Sequence, residues 1–258
     1  MIDLKGFPFP VLTSDGGVER ARSVAERAQR TYAWLDAVVG MPAPPPLYVV
    51  GPEDWDRVAA TPLYGMPHVE SDRIVVGQQP APFWDAVTAV LSRRVSGLRE
   101  VYGDPIDLGG FADLLVSHEL THLSHGESWP PGPVGFWLRE LTANVGLHGY
   151  VAVNEPSSLP VLETVFEATW AAGPDAWPVR DLARMEQGLE GDGSNYVWFE
   201  FGLQVLAKRL WQSSGASALE ALVAALRGPE LAFDDVVSLL ERLDPTVATA
   251  IRSWPHFR

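Results

Sequence analysis

Phe111-Ala112-Asp113-Leu114-Leu115-Val116-Ser117-His118-Glu119-Leu120-Thr121-His122 is an apolar run that ends in the pattern H-E-x-x-H. The run reads as a helix from about Phe111. On a helix, residues four apart lie about 40° apart around the axis and about 6 Å apart along it. His118 and His122 therefore face the same way and can grip one metal ion. Glu119 flanks that ion without binding it, which is the place for a general base. The apolar flanks predict a buried helix, and a buried helix seldom carries His, Glu and His without partners.

A catalytic metal needs a third protein ligand and an open position. His125, Glu127 and Glu140 are the downstream candidates. His125 lies on the same helical face as His118, but a straight helix carries it about 10 Å along the axis. One ion reaches it only if the helix breaks after His122. Glu127 falls in the loop between Gly126 and Gly135. Glu140 is the best of the three. It lies in a second helical run, Phe136 to Leu147, after the Ser128-Trp129-Pro130-Pro131-Gly132-Pro133 loop that must end the first helix. Asn144 is one turn past Glu140 on the same face. Its carbonyl oxygen can accept the free N–H of a ligating imidazole.

With H-E-L-T-H at 118–122 and R-E-L-T-A-N at 139–144, the chain resembles the gluzincin clan of zinc metallopeptidases, which includes thermolysin and the zinc aminopeptidases. Seventeen residues separate His122 from Glu140, one fewer than is usual in the aminopeptidase branch. The clan has E-x-x-x-D on its second helix, whereas this chain has E-x-x-x-N, so Asn144 brings no charge. The resemblance implies an α+β, thermolysin-like fold with one zinc ion held by His118, His122 and Glu140. It also implies Glu119 as base and a Tyr or His from the helical half as donor to the oxyanion. Tyr196 is the candidate donor, with a core tyrosine as its other reading. His148 either lines the pocket or packs in the helix. The aminopeptidase motif G-x-M-E-N is missing. Gly65-Met66 and Glu70 lie in roughly that region, and Glu70 reads as a surface-turn acid.

The rest of the chain predicts a small sheet with helices in the first half and a mostly helical second half. Helices are expected at 18–39 and 83–101, and strands at 47–50 and 73–77. Further helices are expected at 194–212, 216–226, 233–243 and 245–254. The division is a sheet-containing lobe at 1–128 and a helical lobe at 129–258. Asp244-Pro245 is a helix start, with a capping side chain and proline in the first turn.

The formal charge of -14 argues against nucleic acid and anionic membranes as partners. With no cysteine there is no disulfide and no thiolate site. Neither a signal peptide nor an apolar run of membrane-spanning length is evident, so a cytoplasmic protein is expected. Trp129, Trp137 and Trp198 fall near the expected site and suggest an apolar pocket. The expected activity is hydrolysis of a peptide or amide small molecule. The rival readings are a metallohydrolase acting on a non-peptide and a non-catalytic binding protein that keeps the fold.

Overall fold

A computed structural model describes residues 1–79, 82–92, 97–125, 133–191 and 193–257. The chain is α+β, with a small mixed sheet and a mostly helical second half. β1 (Ile2–Leu4) and β2 (Val11–Thr13) form an antiparallel pair. α1 (Val18–Val39) follows. Its apolar positions Ala21, Val24, Ala25, Ala28 and Leu35 recur at helical spacing and are buried. It ends at Gly40, whose φ of 67° no other residue adopts readily.

β3 (Leu47–Val50), the short α2 (Pro52–Val58), β4 (His68–Val69) and β5 (Ile74–Gly77) complete the sheet, in the order β1-β2-β3-β5-β4. β2, β3 and β5 are parallel, with Leu47 opposite Ile74 and Val49 opposite Val76. Helices cover such strands on both faces, which is why Leu47-Tyr48-Val49-Val50 and Ile74-Val75-Val76 are almost wholly apolar. β4 is an antiparallel edge strand and packs against the motif helix.

The single helix expected at 83–101 is two, α3 (Pro82–Leu91) and α4 (Leu98–Tyr102). Gly97 has φ 89°, a left-handed conformation that cannot continue a right-handed helix. Residues 93–96 lie outside the described part. The motif run is also divided, into α5 (Gly109–Leu114) and α6 (Val116–His122), followed by a tight 3₁₀ turn at Leu123–His125.

The second half holds α7 (Pro133–Asn154), α8 (Leu159–Ala171), α9 (Ser194–Ser214), α10 (Ala216–Leu226), α11 (Phe233–Leu243) and α12 (Pro245–Arg252). α7 is buried on every face from Trp137 to Val151. It is the axis of the molecule, with α6 on one side and α9 on another. Asp244 caps α12 by accepting from the backbone N–H groups of Thr246 and Val247. The largest apolar cluster draws on both halves of the chain. It includes Val11, Leu47 and Val76 from the sheet, Leu120 from α6, and Leu141, Leu203 and Leu222 from the helices. Among the described residues, no helix is long and apolar enough to cross a membrane.

Candidate metal centre

α6 is held from behind by α1. Thr31 Oγ1 and Ser117 Oγ are 2.8 Å apart in the buried seam between the two helices. His118 and His122 lie about 100–140° further round α6 than Ser117, and with Thr121 between they face α7. Gly146 on α7 meets Thr121 on α6, and a methyl group there would lie 2.3 Å from Thr121 Oγ1. The glycine therefore lets the two backbones approach closely, and that spacing brings Glu140 to the histidines.

His118 Nε2 and His122 Nε2 are 3.0 Å apart. Glu140 Oε2 lies 3.1 Å from the first and 3.2 Å from the second. All three side chains are buried. This is the metal-capable cluster among the described residues. Ligand atoms bonded tetrahedrally at about 2.0–2.1 Å to one ion are about 3.3 Å apart, so the observed spacing fits a single small cation.

The tautomer fits as well. Asn144 Nδ2 donates to Glu200 Oε2 at 2.9 Å. That bond orients the amide so that Asn144 Oδ1 accepts from His118 Nδ1 at 3.0 Å. Nε2 is thereby the His118 nitrogen that faces Glu140 and would hold a metal. An acid side chain thus stands one hydrogen bond further out, at Glu200.

Burial opposes a charge on His118. The Glu140 hydrogen bond and the Glu119 and Glu200 carboxylates outweigh it and push the imidazole up to about 10. Burial also disfavours a charged Glu140, yet the paired histidines hold it well below the usual carboxylate range. Both directions say that this point favours positive charge. Glu200 is pushed up to about 8 by burial and by the nearby Glu140 charge. Burial raises the Tyr196 phenol well above its ordinary value, and the Glu140 and Glu200 carboxylates add to the rise.

Glu119 and His118 border a narrow cavity of about 60 Å³. Met66, Pro67, Phe83, Trp84 and Phe111 line it from the first half of the chain, and Tyr196, Glu200, Phe201 and Gln204 from α9. The start of α9 is anchored by Asn195, whose amide bonds the Val179 backbone at both its N–H and its carbonyl. Gly188 sits so close to the Tyr196 backbone that a Cβ there would lie 2.9 Å from its nitrogen. A larger cavity, about 730 Å³, lies elsewhere, beside Trp170, Arg209 and Phe257, and contains none of these ligating residues.

The other candidates fall away from the cluster. The helix does change character after His122, yet His125 stays outside the group of ligand atoms. Its ring packs edge-on against His122, with centroids 5.4 Å apart, and both ring nitrogens are buried without hydrogen-bond partners. Burial, with the His122 and Arg139 charges, drives its pKa well below the ordinary value. His148 pairs with Glu163 at 3.0 Å and is not among the cavity residues. Glu70 bonds His68 and the Ala60 N–H in a surface turn.

Glu127, Trp129 and the 128–132 part of the loop lie outside the described residues. Trp137 and Trp198 do not line the cavity. Trp137 packs on Phe233, and Trp198 points into a stack with Trp170 and Trp177, about half a helical turn from Glu200. The aromatic wall comes instead from Phe83, Trp84, Phe111 and Phe201. Sequence reading missed Glu200 and Gln204. Their signal is a charged and a polar residue at four and eight positions past Tyr196 on an otherwise apolar helix.

Comparison with family models, with curated proteins and with solved structures finds no match for this chain.

Proposed function

We propose that this chain is a zinc-dependent hydrolase of gluzincin type that cleaves peptide or amide bonds. The observation that carries the reading is the buried convergence of His118, His122 and Glu140, with Glu119 beside them in an aromatic cavity. A thermolysin-like arrangement is supported by the antiparallel edge strand β4 against the motif helix and by a third ligand from a helix of the second half. The donor set of two imidazoles and one carboxylate suits zinc. When bound there, zinc acidifies a water and polarises a carbonyl. Glu119 takes the proton of the attacking water and later delivers it to the leaving amine. Tyr196, whose phenol is held protonated, donates a hydrogen bond to the developing oxyanion. Asn144 and Glu200 keep His118 in one tautomer and orientation. The narrow cavity favours a short peptide or a small non-peptide amide over a folded protein.

Glu119→Gln tests this reading. It should keep bound metal and lose at least about 100-fold in turnover against a mixed library of short peptides and simple amides. Near-normal hydrolysis by that variant would remove Glu119 from the chemistry. A wild-type protein that holds metal yet cleaves nothing in the library would favour a binding role.

A further inference from the structure

Tyr196, Glu200 and Gln204 are spaced by four and share one face of α9. All three border the cavity beside Glu119, whose remaining wall is apolar and aromatic. Glu200 uses Oε2 to accept from Asn144, and the Tyr196 hydroxyl also reaches this carboxyl, whereas Oε1 is buried without a hydrogen bond of good geometry. Gln204 Oε1, one turn further along, is likewise buried and unpartnered, and the whole residue is 4% exposed. Burying an acceptor without a donor is unfavourable, and at Glu200 burial and the Glu140 charge push the carboxyl up to about 8, so its ionised form lacks a cationic partner. Two such acceptors on successive turns, in one cavity, call for a ligand group that donates from several directions and carries positive charge.

We propose that this wall receives a primary ammonium group carried on a short apolar stem. Its N–H groups bond Glu200 Oε1 and Gln204 Oε1, and its stem lies against Trp84, Phe111 and Phe201. The inference rests on the reading of this cavity as the place where substrate sits. An ammonium offers three donors and no lone pair, so it opposes neither acceptor. A hydroxyl head brings its own lone pairs and no charge. A volume of about 60 Å³ admits a head of a few atoms, which favours ammonium over the larger guanidinium. The aromatic faces around the stem add attraction for a cation. The head group belongs either to a free amino terminus or to an aminoalkyl side chain.

Calorimetric titration tests this, with protein both as purified and after metal removal by a chelator, so that coordination of the amine to an ion is controlled. The probes are butylammonium, 1-butanol and tetramethylammonium. Butylammonium should bind at least about tenfold more tightly than 1-butanol, the scale of one charged hydrogen bond. Tetramethylammonium, which has no N–H, should lose most of that advantage. Glu200→Gln should cut the amine-to-alcohol ratio to about threefold or less. Gln204→Leu, which leaves every charge in place, should weaken butylammonium several-fold and 1-butanol less. Leucinamide and Nα-acetyl-lysinamide then tell the two sources of the head apart. Equal affinity for amine and alcohol would overturn the proposal. So would a ratio unchanged in both variants while their circular dichroism stays native. Amine preference without any hydrolysis would sink the hydrolase reading and leave this one standing; hydrolysis without amine preference would do the reverse.

Discussion

Gly146→Ala is a small change with a large expected effect, because Gly146 sets the distance between α6 and α7. The new Cβ would lie 2.3 Å from Thr121 Oγ1, 2.5 Å from its Cγ2 and 2.9 Å from its Cβ. Carbon contacts are normally about 3.5–4.0 Å, so the helices must part by about 1 Å. Rotating Thr121 brings no relief. Its own Cβ is within the clash, and its hydroxyl is committed to the Ser117 carbonyl at 2.8 Å. Overpacking of this kind costs about 1–3 kcal/mol, here toward the upper end. Alanine returns about 1 kcal/mol of helix propensity. The net loss is about 2 kcal/mol, or about 4–8 °C in Tm for a chain of this size. Glu140 rides on the same helix, so zinc affinity should fall by at least about tenfold as the ligand moves off. Thermal denaturation and competitive zinc titration measure the two effects. Thr121→Ala in the same chain removes Oγ1 and Cγ2 and should restore most of both. A Gly146→Ala protein as stable and as tight for zinc as wild type would refute the argument, as would failure of Thr121→Ala to rescue it.

Glu200→Ala, which removes the acceptor behind Asn144, should weaken zinc by about tenfold or more, the usual scale when a partner behind a ligand is lost, and Asn144→Asp in that background should recover much of it. Competitive chelator titration at fixed pH reads both. Tyr196→Phe should lower kcat more than it raises KM, because its hydroxyl acts on the oxyanion and not on the bound substrate. Glu155 joins α1 to the end of α7 by accepting from Arg27, Arg30 and Tyr150. Burial opposes its charge, but those donors lower its pKa from 4.5 to about 2. Its stabilisation is therefore complete above about pH 4.5 and fades as pH falls through about 2. Glu155→Gln should cost about 2 kcal/mol in urea unfolding at pH 7, and the gap from wild type should shrink toward nothing near pH 2.

The parts of this structure that were legible in sequence are those with a local cause. The period of Ala21, Val24, Ala25 and Ala28 marks α1 to the residue, and the Asp244-Pro245 start marks α12. His118 and His122 follow from spacing alone, and their convergence with Glu140 follows from a loop long enough to turn the chain back. β1, β2 and β4 were missed because strands of two or three residues carry no period to read. α8 was missed as well, since Pro160 in its first turn reads as a breaker. Glu200 and Gln204 were hidden for a different reason. Their role depends on which face of α9 meets α6 and α7, and tertiary packing decides that. Gly146 is the same kind of case: a glycine inside a helix reads as a weak spot until the threonine opposite is seen.

The most direct measurement is zinc stoichiometry and affinity by competitive titration, with elemental analysis of the purified protein. The comparison set is wild type, Glu140→Ala and His125→Ala. The account predicts one zinc per wild-type chain, loss of most of it in Glu140→Ala, and retention in His125→Ala. It also predicts a higher Tm for the zinc-loaded wild type, because only the folded chain brings Glu140 to the two histidines. A wild-type chain that binds no stoichiometric metal, or a His125 variant that loses it while the Glu140 variant does not, would contradict the assignment on which the rest depends.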